Sequence, residues 1–121
     1  MSRFLIRAVA SGMKFDLKAA NGETIATSEV YTTEASCRSG IASVRKNAPA
    51  AHLENQTEEP CVPTPNPKFE MFQDRAGEYR FRLKARNGKI IGTSEGYSTK
   101  AGCLNGIDSV RSNAPEAEIE E

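Results

Sequence analysis

Two cysteines, Cys37 and Cys103, stand 66 residues apart, each six residues after the tyrosine of a repeated Thr-Ser-Glu-x-Tyr at 27–31 and 93–97. Thiol, carboxylate, hydroxyl and phenol at fixed spacing are the raw material of nucleophilic and acid–base catalysis, and two copies would make two sites. A cysteine nucleophile needs a base and surroundings that favour the thiolate. The chain has one histidine, His52, on the outward side of a short alternating stretch between Ala51 and Leu53. One His with scattered Cys gives neither a Cys–His pair nor a zinc spacing. Adjacent strand residues face opposite ways, so Ser28 and Glu29, or Ser94 and Glu95, cannot act together. No catalytic residue, metal ligand or cofactor is therefore expected, and the repeated Cys and Tyr are expected to build structure.

A second constellation could bind rather than react. Arg80, Arg82, Lys84 and Arg86, followed by Lys89, alternate with Tyr79, Phe81, Leu83 and Ala85. That period of two describes a half-buried strand with a basic outer stripe. With Phe72 and Ile91 expected on the same face, the stripe combines cations and an aromatic, as phosphate binding and base stacking require. Glu70 and Glu95 dilute it, and the first copy offers only Lys14 and Lys18 with Asp16 between them.

These residues sit on a chain that repeats itself. Between Phe15 and Glu54, 24 of 40 positions are identical to those 66 residues later. The copies span residues 1–54 and 68–121, and a linker at 55–67, NQTEEPCVPTPNP, holds four of the six prolines. Proline favours an extended, fairly stiff path. Cys61, within the linker, is expected to be an exposed thiol.

Each copy reads as three strands, a helix and a short strand. Asn87-Gly88 is expected to close a two-residue type I′ hairpin. That turn sets Ala85 opposite Ile90, Leu83 opposite Gly92, Phe81 opposite Ser94 and, outside, Arg80 opposite Glu95, with Lys14 opposite Glu29 in the first copy. Ser98 or Thr99 caps a helix whose apolar face is Cys103, Ile107, Val110 and Ala114, matched by Cys37, Ile41, Val44 and Ala48. Asn113 is expected to end it in the left-handed conformation before Pro115. Gly40 and Gly106 fall mid-helix, where each costs up to about 1 kcal/mol relative to Ala. A sheet or the sister helix is expected to approach there.

The second copy, FEMFQDRAGEYRFRLKARNGKIIGTSEGYSTKAGCLNGIDSVRSNAPEAEI, resembles the repeat of the YegP-like family of small uncharacterised bacterial proteins. The resemblance covers nearly the whole chain, and the first copy departs from it at FLIRAVASGMKFD. It implies an α+β fold: two tandem β-β-β-α-β repeats forming one antiparallel sheet, with exchanged C-terminal strands and two helices on one face. The family carries no assigned catalytic or binding residues. A single copy would be marginal, whereas two sharing a sheet roughly double the core, so the chain is expected to be a monomeric internal pseudo-dimer.

Sixteen basic and sixteen acidic residues cancel, so no overall field draws the molecule to nucleic acid or anionic lipid. No apolar stretch approaches the roughly 18 residues of a membrane span. Three cysteines, an odd number, suit a reducing cytoplasm better than a disulfide framework. The functional expectation is a non-catalytic protein-interaction module working through the open sheet face or the linker. The alternative is nucleic-acid or polyanion binding through Arg80, Arg82, Lys84, Arg86 and Lys89.

Overall fold

A computed structural model describes all residues, 1–121. The first copy forms β1 (Arg3–Val9), β2 (Gly12–Lys18), β3 (Thr24–Thr27), α1 (Glu34–Asn47) and β4 (His52–Asn55). The second forms β5 (Lys68–Gln73), β6 (Tyr79–Lys84), β7 (Ile90–Thr93), α2 (Lys100–Asn113) and β8 (Glu118–Glu120). All eight strands join one open sheet in the order β4-β5-β6-β7-β3-β2-β1-β8. The copies meet at its centre, where Thr27 lies opposite its own counterpart Thr93. The last strand of each copy pairs with the first strand of the other, so the expected exchange is present.

The sheet is mixed rather than wholly antiparallel: β4 runs parallel to β5, and β8 parallel to β1. Parallel neighbours need a connection of a dozen or more residues, and residues 56–67 return the chain from the end of β4 to the start of β5. The linker is therefore a crossover folded against the sheet. Asn55 Oδ1 accepts from the Thr57 amide, and Glu54 Oε1 accepts from the Thr64 amide at 2.9 Å. Cys61 is half-buried within it, not exposed.

Alternation on the strands and one face of each helix converge on a single core of 22 buried residues. Phe4, Phe15 and Leu17 enter it from one copy, Phe69, Phe81 and Leu83 from the other. Cys37 and Cys103 have no exposed surface. Each helix also crosses the repeat boundary, α1 touching β7 and α2 touching β3.

Several local expectations change. The Gly88 amide donates to Ala85 O and the Ala85 amide to Lys89 O, and only Gly88, at φ +84°, is left-handed. This is a three-residue loop with a glycine bulge instead of a type I′ turn. Leu83 still faces Gly92, but the register shifts between Leu83 and Lys84, and Lys84 faces Ile90. Ile91 is the extra residue in β7, and the bulge breaks alternation there. It joins the core at 6% exposure instead of lying on the outer face. Thr33 and Thr99 cap the helices, accepting from the amides of Ser36 and Gly102. Asn113 stays right-handed at φ −89°, and so does Ala114, because the helix tightens into a 3-10 turn that accommodates Pro115 in its first positions.

What approaches Gly40 and Gly106 is a tyrosine ring. A Cβ on Gly40 would stand 2.7 Å from Cζ of Tyr31, and one on Gly106 would stand 2.8 Å from Cζ of Tyr97. Tyr31 and Tyr97 stack on Phe15 and Phe81 at centroid distances of 6.2 and 6.4 Å. The repeated Ser is equally structural. Ser28 Oγ accepts from the Phe15 amide at 2.9 Å and donates to Glu29 O at 2.7 Å, and Ser94 repeats this with Phe81 and Glu95. A buried hydroxyl left without such partners would be costly.

Candidate functional site: the outer sheet face

Both helices cover one face of the sheet, and the basic residues of β6 project from the other. Arg80, Arg82 and Lys84 share that outer face with Lys68, Glu70 and Phe72 of β5, and the antiparallel register sets Glu70 directly opposite Arg82. Arg82 Nε lies 2.5 Å from Glu70 Oε1, and Lys84 Nζ lies 3.2 Å from Glu70 Oε2. Lys68 Nζ completes the cluster, 3.4 Å from Glu70 Oε2 and 2.8 Å from Glu54 Oε1. Glu70 is only 4% exposed. Burial alone would raise its pKa, but hydrogen bonds from Arg82 and Lys84 outweigh that and hold it below the ordinary carboxylate value.

The expected pairs Arg80–Glu95 and Lys14–Glu29 do not form. The turn after β5 brings Asp74 within 2.6 Å of Arg80 Nε, and the amides of Ala76 and Glu78 donate to Asp74 Oδ1. A carboxylate already oriented by two amides outcompetes the exposed Glu95. On the first copy's outer face, Arg7 Nε meets Asp16 Oδ2 at 2.8 Å, while Thr27 Oγ1 donates to Asp16 Oδ1 at 2.7 Å. Near the meeting of the two copies these residues, with Lys14, Thr93 and Glu95, line a shallow cleft of about 280 Å³.

The stripe is thus divided. Arg80, Arg82 and Lys84 are tied to carboxylates, and the Arg82 guanidinium lies 4.4 Å from the Phe72 ring centroid. Beyond Lys84 the strand ends, so Arg86 and Lys89 belong to the loop. Arg86 turns to a cleft against α1, away from the outer face. Both repeated cysteines lie in the core. Burial raises the Cys103 thiol to about 11 and also raises Cys37, which has Glu34 nearby. No three His, Cys, Asp or Glu side chains converge to hold a metal ion, and no helix is long and apolar enough to cross a membrane.

The two halves of this architecture are recognised separately: the model of a domain of unknown function, DUF1508, matches residues 9–54 and again 74–121. The UPF0339 protein YegP of Escherichia coli O157:H7 is 39% identical over 111 residues, spanning 92% of this chain and 87% of the relative. The chain belongs to the UPF0339 family. The solution NMR structure of yegP from E. coli, described as a protein of unknown function, superposes with a TM-score of 0.78 at 37% identity, covering 98% of this chain and 90% of that one. A UPF0339 protein of Treponema denticola is 56% identical over 54 residues, which are 45% of this chain but 93% of the relative. One UPF0339 repeat can therefore make up nearly a whole protein.

The geometry shows what links two UPF0339 repeats. Arg111 Nη2 of α2 donates at 2.8 Å to Ala51 O, at the start of the exchanged β4, with its guanidinium 5.2 Å from the Phe69 centroid. Arg45 of α1 mirrors this, donating to Ala117 O and lying 5.5 Å from the Phe4 centroid. These two arginines escaped the reading of the sequence. Their signal was recurrence in both copies at a helix position outside the apolar stripe.

Glu54 gives the UPF0339 chain an acid-sensitive point. Gln56 Nε2, Lys68 Nζ and the Thr64 amide all donate to its carboxylate, lowering its pKa from 4.5 to about 2. A folded-state pKa below the unfolded one contributes stability above the unfolded value that is lost as pH falls through the folded one. The contribution is fully present above about pH 4.5 and disappears towards pH 2. Urea midpoints should fall across that window, and Glu54→Gln should flatten the fall while lowering the midpoint at pH 6.

Proposed function

We propose that this protein is a non-catalytic binding module that engages a protein partner through its uncovered sheet face, acting as a monomer in a reducing cytoplasm. The carrying observation is the neutralisation of that face: Arg7, Arg80, Arg82 and Lys84 are each held by Asp16, Asp74 or Glu70. Fixed, alternating charges among the hydroxyls of Thr27 and Thr93 suit a complementary protein mosaic, where charge placement sets specificity. A polyanion instead needs free cations, because phosphate binding gains from counterion release. Phe72, with the Arg82 guanidinium 4.4 Å from its ring centroid, is poorly placed to stack a base. The buried thiols, their pKa values raised, support the non-catalytic reading.

The test is capture by the immobilised chain, comparing wild type with Thr93→Arg on the sheet face and Asp108→Lys on α2. A protein retained by wild type and Asp108→Lys but lost by Thr93→Arg supports the reading. Equal retention by all three overturns it. So does RNA or single-stranded DNA that shifts the amides of 79–84 at low salt and releases them at high salt.

A further inference from the structure

The cleft that receives Arg86 lies on the opposite side of the molecule from the partner face. It is about 360 Å³ and open, between α1 and the loop joining β6 to β7. Ser39, Ser43 and Lys46 line it from α1, and Arg86 and Asn87 from the loop. The helix residues are four and three apart, which places them on one face. None of the lining residues is acidic. The ten ion pairs of the molecule leave both Lys46 and Arg86 without a carboxylate.

The neutral groups in the cleft are donors as well. Ser43 Oγ accepts from Asn47 Nδ2 at 3.1 Å, leaving its own proton to give. Asn87 Oδ1 is occupied by the Lys89 amide at 3.0 Å, so its amino group is the free end. Two unpaired cations from separate elements, with hydroxyl and amide donors between them, match an anion with several acceptor oxygens.

The equivalent cleft, between α2 and the loop joining β2 to β3, is a control built into the chain. At the equivalent place, 66 residues on or back, Lys46 is replaced by Ser112, Arg86 by Ala20 and Ala42 by Asp108. The helix and hairpin form there just the same. Construction does not require the two cations, which leaves them free to serve a ligand.

We propose that the cleft between Lys46 and Arg86 binds a phosphate dianion, free or as a small organic monoester. Arg86 supplies the planar fork that suits phosphate oxygens, and Lys46 a point charge. Ala42 and Ala85 form an apolar wall beside the donors, with room for an organic body.

The test is a titration of the full chain, followed by amide NMR at constant ionic strength, with inorganic phosphate, ribose 5-phosphate and malonate. Saturable shifts at residues 39–47 and 85–88, absent from 105–113 and 19–22, are expected with the phosphates. Lys46→Ser with Arg86→Ala, which installs the other repeat's residues and so preserves the fold, should weaken binding by about tenfold or more. Equal affinity for both phosphates assigns the site to free phosphate, and tighter ribose 5-phosphate to a monoester. Shifts that do not saturate, that appear equally at 105–113 and 19–22, that survive the double substitution, or that malonate reproduces at equal affinity would overturn the assignment.

Discussion

Gly106→Ala destabilises the protein by about 1–3 kcal/mol, the usual range for overpacking a core, although alanine is the better helix former by up to about 1 kcal/mol. The reversal comes from Tyr97. A Cβ at 106 would stand 2.8 Å from Cζ of Tyr97 and 3.2 Å from Cε2 of Phe81. The tyrosine cannot retreat easily, since its amide and carbonyl are both bonded to Tyr79 at 2.8 Å and its ring stacks on Phe81. Gly40→Ala should behave alike against Tyr31 and Phe15. Truncating Tyr97 in the Gly106→Ala background removes the obstacle, so the double variant should be more stable than the sum of the two losses, with a coupling of about 0.5–3 kcal/mol. Urea unfolding measures all of this, and a neutral or stabilising Gly106→Ala would refute the packing account.

The larger effect is expected from cutting the chain. Residues 1–54 alone keep β1, β2, β3 and α1, but β4 loses its only strand neighbour, β5. The β1 edge loses β8, β3 loses β7, and α1 loses its contact with β7. A fragment of that size buries too little surface to fold alone, while two fragments restore every pairing by laying each β4 on the other's β1. The fragment should run in gel filtration at twice its mass. Its melting temperature should fall on dilution, because its folding and association are one equilibrium, whereas the intact chain should show no such dependence. A folded monomer of residues 1–54 would defeat this reading. The Treponema denticola relative, in which one matched repeat fills 93% of the chain, invites the same measurement.

The strands, helices and duplication were legible because each rests on local periodicity or direct repetition. Phe81 and Leu83 alternate into the core, Thr99 caps α2, and Cys103, Ile107 and Val110 line one helix face. The exchange of C-terminal strands followed from family resemblance, and no pattern within β4 or β8 would have revealed it. Their parallel direction was missed, although the length of the Pro-rich connection bears on it. The candidate face was only partly legible. Alternation placed Arg80, Arg82 and Lys84 correctly, but it says nothing of what lies across the sheet, and there Glu70 and Asp74 neutralise them. One bulge beside Leu83 was enough to move Ile91 into the core, and the loop that follows carries Arg86 to α1.

The sequence by itself determined which residues are inside and which outside along each element, because side-chain direction follows from strand and helix period. It also determined that the chain is two copies of one unit, because 24 identical residues in 40 carry the same apolar pattern twice. Only the tertiary structure decided which charges are spent and which are free. An ion pair depends on distances between elements remote in the chain, and there the repeats diverge: Arg82 is met by Glu70 at 2.5 Å, while Lys46 and Arg86 face one cleft without a carboxylate.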